Sequence, residues 1–496
     1  MTWREYHDST KHSVESLRRS PHVLDWSNMP DPFRQYEGVP LLDLPANPPV
    51  PGTPALAVLN GIASTKPTVN GSMFLSQLLF YSAAISASKR SPTGYRYALR
   101  VNPSSGNLHP TEFHFFTQGL KEWPNGLYHY RPSAHMAEQR ALGGAGLRLP
   151  GGSAPVVFVL TSLAWREAWK YRDRAYRYCL LDIGHAWQAL ALAARAMGCD
   201  TFATGHFPDD EVAQLLRQHG DEWPMLIVEV RGASIPVCEQ DARETVWYGG
   251  QANRISGETT VHSLIDGIHE ATKLRHWANR GLSAPESGYS DSGEINLPPL
   301  ASSSLSTRRA FREVARMRRS ALDFLGGMQS MSLMQLSAIL AVAARPFSAD
   351  FAGAPFIQLY LYVHRVDGLQ PGVYRLWSKG AQLEQIRSGD QRVAAAGLSL
   401  GQELAGNSCV TFSMIGDLDR AARTHGDRGY RYVHFEAGAI GHRMYLAAEA
   451  LGLGATGIGA FYDEEVHHYL NLTPGREQVV YHFAIGYPVP DPRLQA

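Results

Sequence analysis

The amino-acid sequence predicts an α+β fold made of two copies of one unit, fused in tandem and packed as an internal pseudo-dimer. Three observations carry this expectation. Residues 176–216 (YRYCLLDIGHAWQALALAARAMGCDTFATGHFPDDEVAQLL) align without a gap to residues 430–470 (YRYVHFEAGAIGHRMYLAAEALGLGATGIGAFYDEEVHHYL), 254 positions on, with 15 of 41 positions identical. The same offset aligns the apolar runs Val156–Thr161 and Val410–Ile415, then the stretches around Gly232 and Gly486. Upstream, EFHFFTQ and NGLYHYR match QLYLYVHRVDG and PGVYRLW at an offset near 246. Finally, residues 281–305 are rich in Gly, Ser and Pro without periodicity, which reads as a linker between a first domain at 1–280 and a second at 306–496.

Composition bounds the function. A chain of 496 residues exceeds what one core usually serves. Its 46 Lys plus Arg balance 46 Asp plus Glu, which argues against a nucleic-acid partner or an anionic-membrane surface. The opening MTWREYHDSTKHS lacks a secretory pattern and no apolar run reaches spanning length, so the expected location is cytoplasmic. The four cysteines are scattered without a CxxC pair, and the histidines have no HExxH or Cys/His set beside them, so no metal site is expected.

Taken in order, LSQLLFYSAAISA reads as an apolar helix-like stretch. It is followed by the loop VNPSSGN, where Pro103, Ser104, Ser105, Gly106 and Asn107 gather hydroxyls, an amide and backbone donors. A solvent turn has the same composition. FHFFT and PVVFVLT read as strands. WKYRDRAYRY then places Lys170 and Tyr171 before an apolar helix covering Leu181 to Met197. A lysine and a phenol together could bind substrate or exchange a proton, or simply sit at an amphipathic margin.

In the second half, VARMRRSALDF puts Arg318, Arg319 and Ser320 in a row, two guanidiniums and a hydroxyl able to clamp a phosphate or to serve as surface charge. LYLYV and VVYHFAI read as strands. Between them a helix from near Phe435 to Leu451 ends in LGLGATGIGAF, which reads as a loop whose Gly457 and Gly459 expose backbone amides. The halves differ at these places. PSSGN corresponds to Ala349–Gly353, the Gly457 turn to Ala203–His206, and Lys170–Tyr171 to Thr424–His425. Each half thus keeps what the other has lost, which favours one complete site over two.

The blocks LRVNPSSGNLHP, NGLYHYR, WKYRDRAYRYCLLDIGH, RMRRSALDF, GYRYVHFEAGAIGHRMYLAAEALGLGATGIGAF and IGYP, in that order, resemble the nitroreductase-like FMN flavoproteins, and within them the azoline (thiazoline/oxazoline) dehydrogenase branch. The resemblance implies two nitroreductase-like units with FMN at their interface. Arg318, Arg319, Ser320, Gly457 and Gly459 would lie on one side and Pro103, Ser104, Ser105 and Asn107 on the other, with Arg493 a further phosphate candidate. It also implies a catalytic role for Lys170 and Tyr171, accepting a substrate proton while hydride passes to the flavin. The expected activity is therefore an FMN-dependent dehydrogenase or oxidase acting on an organic small molecule or a modified peptide, with a peptide-modifying enzyme as a partner. The alternatives are an NAD(P)H-dependent nitro or quinone reductase and a non-catalytic flavin-binding protein. A homodimer of the fused chain is left open.

Overall fold

The computed structural model describes residues 1–19, 22–49, 51–63, 70–91, 94–144, 154–218, 220–239, 244–277, 295–299, 309–377, 382–473 and 475–495. Each half carries an antiparallel sheet of the same strand order. In the first, the order is Val246–Trp247, Met136–Leu142, Gly126–Arg131, Thr111–Thr117, Val156–Ser162, Trp223–Arg231, Asp200–Thr204. In the second it is Ile295–Asn296, Gln382–Ser388, Gly372–Trp377, Ile357–Val363, Val410–Asp417, Glu477–Gly486, Gly454–Ile458. The central strands are buried at every position, which is why they read as continuous apolar runs rather than alternating ones. Of the stretch expected to be a linker, Ile295–Asn296 pairs with Gln382–Leu383, and residues 281–294 and 300–305 lie outside the described residues.

The two long helices of the repeat, Ala175–Ala196 and Gly429–Ala450, pack against each other at the centre of the molecule. They approach at two glycines that the repeat preserves. A Cβ on Gly184 would lie 2.2 Å from the Phe435 carbonyl oxygen, and one on Gly438 would lie 2.1 Å from that of Leu181. The repeat's other shared residues build a two-fold pair of buried ion clusters across this interface. Asp463 accepts from Arg174 and Arg177 at 3.0 and 2.9 Å, and Asp209 accepts from Arg428 and Arg431 at 2.6 and 2.7 Å. Among the described residues, no helix is long and apolar enough to cross a membrane.

Three local expectations need correction. The stretch LSQLLFYSAAISA is helical only to Phe80, and from Ile85 it is the first strand of a hairpin, Ile85–Arg90 with Arg96–Arg100. The second long helix starts at Gly429, six residues before Phe435, because the Tyr-Arg-Tyr segment belongs to it. The Gly-rich run after it is not a loop: Gly454–Ile458 is an edge strand. Its glycines answer to lateral crowding, since a Cβ on Gly454 would meet the Pro488 ring at 2.7 Å.

Candidate functional site

A cleft of about 1630 Å³ opens between the halves, and all twelve residues singled out in the sequence line it. From the first half come Pro103, Ser104, Ser105, Asn107, Lys170 and Tyr171; from the second come Arg318, Arg319, Ser320, Gly457, Gly459 and Arg493.

The first wall is a tight turn. Gly106, Asn107 and His109 all adopt positive φ, of 59°, 61° and 51°. Glycine is required at the first of these twice over, because a Cβ there would also sit 2.7 Å from the Tyr171 hydroxyl. The turn is held from below by Asp182 on the long helix. Its carboxyl accepts from Ser104 Oγ at 2.7 Å, from Ser105 Oγ at 3.0 Å and from the Ser105 amide at 3.1 Å. Burial raises the Asp182 carboxyl to about 7 against these bonds. Its buried neighbour Glu167 is raised well above the usual carboxyl range, by burial first and by Asp182 second. Sequence reasoning passed over both acids; the one signal was an acidic residue inside the apolar turn LLDIGH.

Lys170 and Tyr171 end the helix Ala164–Tyr171. The ammonium stands 5.2 Å from the centroid of the neighbouring phenol ring, and that ring packs against Tyr178 with centroids 4.5 Å apart. Among the described residues Lys170 Nζ has no hydrogen-bond acceptor. Burial, then Glu167, pushes the Tyr171 phenol well above its ordinary value. The next residue, Arg172, takes φ 52° and ψ −137°, which Gly426 takes in the second half at φ 64° and ψ −157°. An arginine held in a glycine conformation is backbone strain stored beside the cleft.

The second wall follows the helix Phe311–Met317, which the Pro54–Ala310 bridge anchors to the first half. The buried Arg318 donates through Nε to the Val101 carbonyl at 3.1 Å and through Nη2 to that of Arg100 at 3.3 Å, with its guanidinium over the Tyr445 ring. Among the described residues its buried Nη1 has no acceptor. Arg319 uses Nη1 on Ser86 Oγ and two carbonyls and Nη2 on the Ser86 carbonyl, so its hydrogens are more engaged than the sequence suggested. Ser320 Oγ meets Tyr445 Oη at 2.9 Å, and the same phenol accepts the Gly457 amide at 2.8 Å. That amide is therefore spent. The glycine is needed because a Cβ would fall 1.8 Å from Tyr481 Oη, as a Cβ on Gly459 would fall 2.3 Å from the Tyr178 ring. Arg493 reaches the cleft because Leu494–Gln495 adds a strand to the first-half hairpin, and its guanidinium is ion-paired with Asp491 at 2.8 Å.

The position related to this cleft by the duplication is filled over the part that corresponds to the Pro103–Asn107 turn. Asp350 accepts from the Gly205 and His206 amides at 2.7 and 3.0 Å, and Phe351 stacks on Tyr432 with centroids 4.3 Å apart.

Comparison with known proteins follows the same division. The Nitroreductase family profile matches residues 83–232 and 315–487, one stretch in each half. A Methanocaldococcus jannaschii protein named as a nitroreductase is 31% identical over 189 residues, covering 37% of this chain and 91% of its own. Trifolitoxin operon protein TfxC of Rhizobium leguminosarum bv. trifolii is 31% identical over 125 residues, covering 25% of this chain and 35% of its own. A crystal structure from Anabaena variabilis, also named as a nitroreductase, has a TM-score of 0.75 at 25% identity and is alike over 98% of this chain and 99% of that one. The chain belongs to the nitroreductase family, with the family's unit present twice and packed against itself.

Proposed function

We propose that the protein is an FMN-dependent oxidoreductase that holds one flavin between its halves. The observation that carries this reading is the cleft: one wall ends in a buried guanidinium nitrogen without an acceptor, and the other is a strained, hydroxyl-rich turn. Its volume is above the usual range for a ligand site, which suits a cofactor and a substrate together. Arg318, Arg319 and Ser320 hold the phosphate end. Pro103, Ser104, Ser105 and Asn107 line the ring end, and Gly457 and Gly459 keep the facing wall free of side chains. Arg493 lies at the margin as a further cationic contact. FMN, when bound, supplies the hydride chemistry. Lys170 and Tyr171 stand where they can hold or pass the accompanying proton, and the Asp182 carboxyl keeps the turn in place beneath them.

The likeness to proteins named as nitroreductases favours reduction of a nitro, quinone or related electrophile with NAD(P)H as electron donor. A second reading, dehydrogenation of an organic substrate or modified peptide alongside a peptide-modifying enzyme, draws on Lys170 and Tyr171 and on the likeness to a trifolitoxin operon protein. Anaerobic mixing separates the two. Rapid bleaching of the flavin by NADH or NADPH supports the reductase. Bleaching by an azoline-bearing peptide, with nicotinamides inert, supports the dehydrogenase. A bound flavin that neither reduces would leave a flavin-binding protein without turnover.

A further inference from the structure

The closed side of the pseudo-dimer retains a small cavity of about 240 Å³. Three arginines line it, Arg195, Arg345 and Arg443, and among the described residues no acidic one does. Arg443 is buried and donates to the Arg345 and Pro346 carbonyls, with its guanidinium 3.9 Å from the centre of the Phe347 ring. Arg345 has no ion pair among the described residues, and the end of its guanidinium lies against Gly61. Among the described residues Arg195 pairs with the exposed Asp200 alone, at 3.7 Å. The cations therefore face one another with little compensation. Burial, then Arg195 and Arg345, lowers the Arg443 guanidinium to about 9, and the buried Glu436 opposes this only weakly, being itself raised to about 7.

The duplication gives the cavity a meaning. At the offset of 254, Ala191 in its wall corresponds to Tyr445, the residue under Arg318 and Ser320 in the open cleft. At the offset of 246, its Ser348 corresponds to Asn102 in the cleft. The cavity is thus the counterpart of the end where the open cleft gathers its arginines, while the space toward the ring end is filled by Phe351, Tyr432 and Asp350. We infer that this cavity is a second, non-flavin binding site for a small phosphate-type oxyanion, either inorganic phosphate or the phosphate of a monoester, held by Arg195, Arg345 and Arg443. The volume is below that of drug-sized ligand pockets and ample for a tetrahedral anion. Guanidiniums are the side chains best suited to hold one, through charge-assisted bonds.

The test is calorimetric titration of the purified full-length protein with potassium phosphate, against potassium chloride at equal ionic strength. The expected result is saturable phosphate binding that weakens at least tenfold in both Arg195→Ala and Arg345→Ala and persists in Arg318→Ala. Circular dichroism and unfolding temperature without phosphate check that the variants fold; Arg195 and Arg345 are both partly exposed. A parallel titration with glycerol phosphate identifies the source, tighter binding of the monoester indicating an organic phosphate and tighter binding of phosphate the free ion. Absence of saturable binding in the unaltered protein overturns the inference. So does binding lost in Arg318→Ala but kept in the other two variants, which would place the anion in the open cleft.

Discussion

In the proposed function Arg318 serves binding and Lys170 the chemistry, and single substitutions separate them. Replacing Arg318 by Ala removes the buried guanidinium with its unused Nη1 and is expected to weaken FMN retention tenfold or more, read by flavin fluorescence on dilution. Lys170→Ala is expected to leave retention intact and to slow substrate-driven flavin reduction; equal rates in the variant would remove Lys170 from the mechanism. Asp182 adds a pH signature. Its carboxyl moves from an ordinary 3.8 to about 7 on folding, so between those pH values the folded chain holds a proton that the unfolded chain has released. The associated stability is complete below about pH 4 and is lost as pH rises through 7, with a size on the order of a few kcal/mol. Asp182→Asn should flatten that decline, and urea midpoints at pH 5 and pH 8 that change equally in both proteins would contradict it. These roles were unevenly legible. Lys170, Arg318 and the PSSGN turn drew notice as short polar runs, but surface charge or a solvent turn accounted for each as well, and only the family resemblance gave them roles. Asp182 and Glu167 did not, because they act through burial and through partners far along the chain.

Helices and strands show what the repeat was preserving. The glycines at 184 and 438 let the two long helices touch backbone to backbone, so Gly184→Ala is expected to cost about 1–3 kcal/mol through overpacking, despite the better helix propensity of alanine. A rise in unfolding temperature would contradict this. The turn after Lys170–Tyr171 should respond in the opposite sense. Arg172→Gly relieves a positive-φ strain that the second half avoids with Gly426, and a gain of about 1 kcal/mol in the unfolding free energy is expected. The apolar strands and the repeated helix were readable from pattern alone. The strand Gly454–Ile458 was not, because its glycines signal the crowding by Pro488 and Tyr481 rather than a turn, and that crowding is invisible to local composition.

At the scale of the molecule, the duplication explains both the fold and its asymmetry. Beyond the recognised repeat, His7, Thr10 and Lys11 share their surroundings with His269, Thr272 and Lys273. Lys11 pairs with Asp8 and Glu464 as Lys273 pairs with Glu270 and Asp210, and the threonines receive Arg177 and Arg431. This correspondence escaped the sequence because it spans only a few residues, HDSTK against HEATK, at a different offset. The paired Asp463 and Asp209 clusters make the interface part of each half's core. Asp463→Ala, which strands two buried arginines, is expected to cost about 3–5 kcal/mol in a urea unfolding titration. With one edge of that interface open and the other filled by Phe351 and Asp350, the proposed function places a single flavin in the grip of both halves. A crystal structure of the flavin-loaded protein tests it most directly. The expected density is one FMN per chain, its phosphate against Arg318 and Ser320 and its ring against the Ser104–Asn107 turn. Density confined to one half, or a flavin at the Asp350–Phe351 edge, would contradict it.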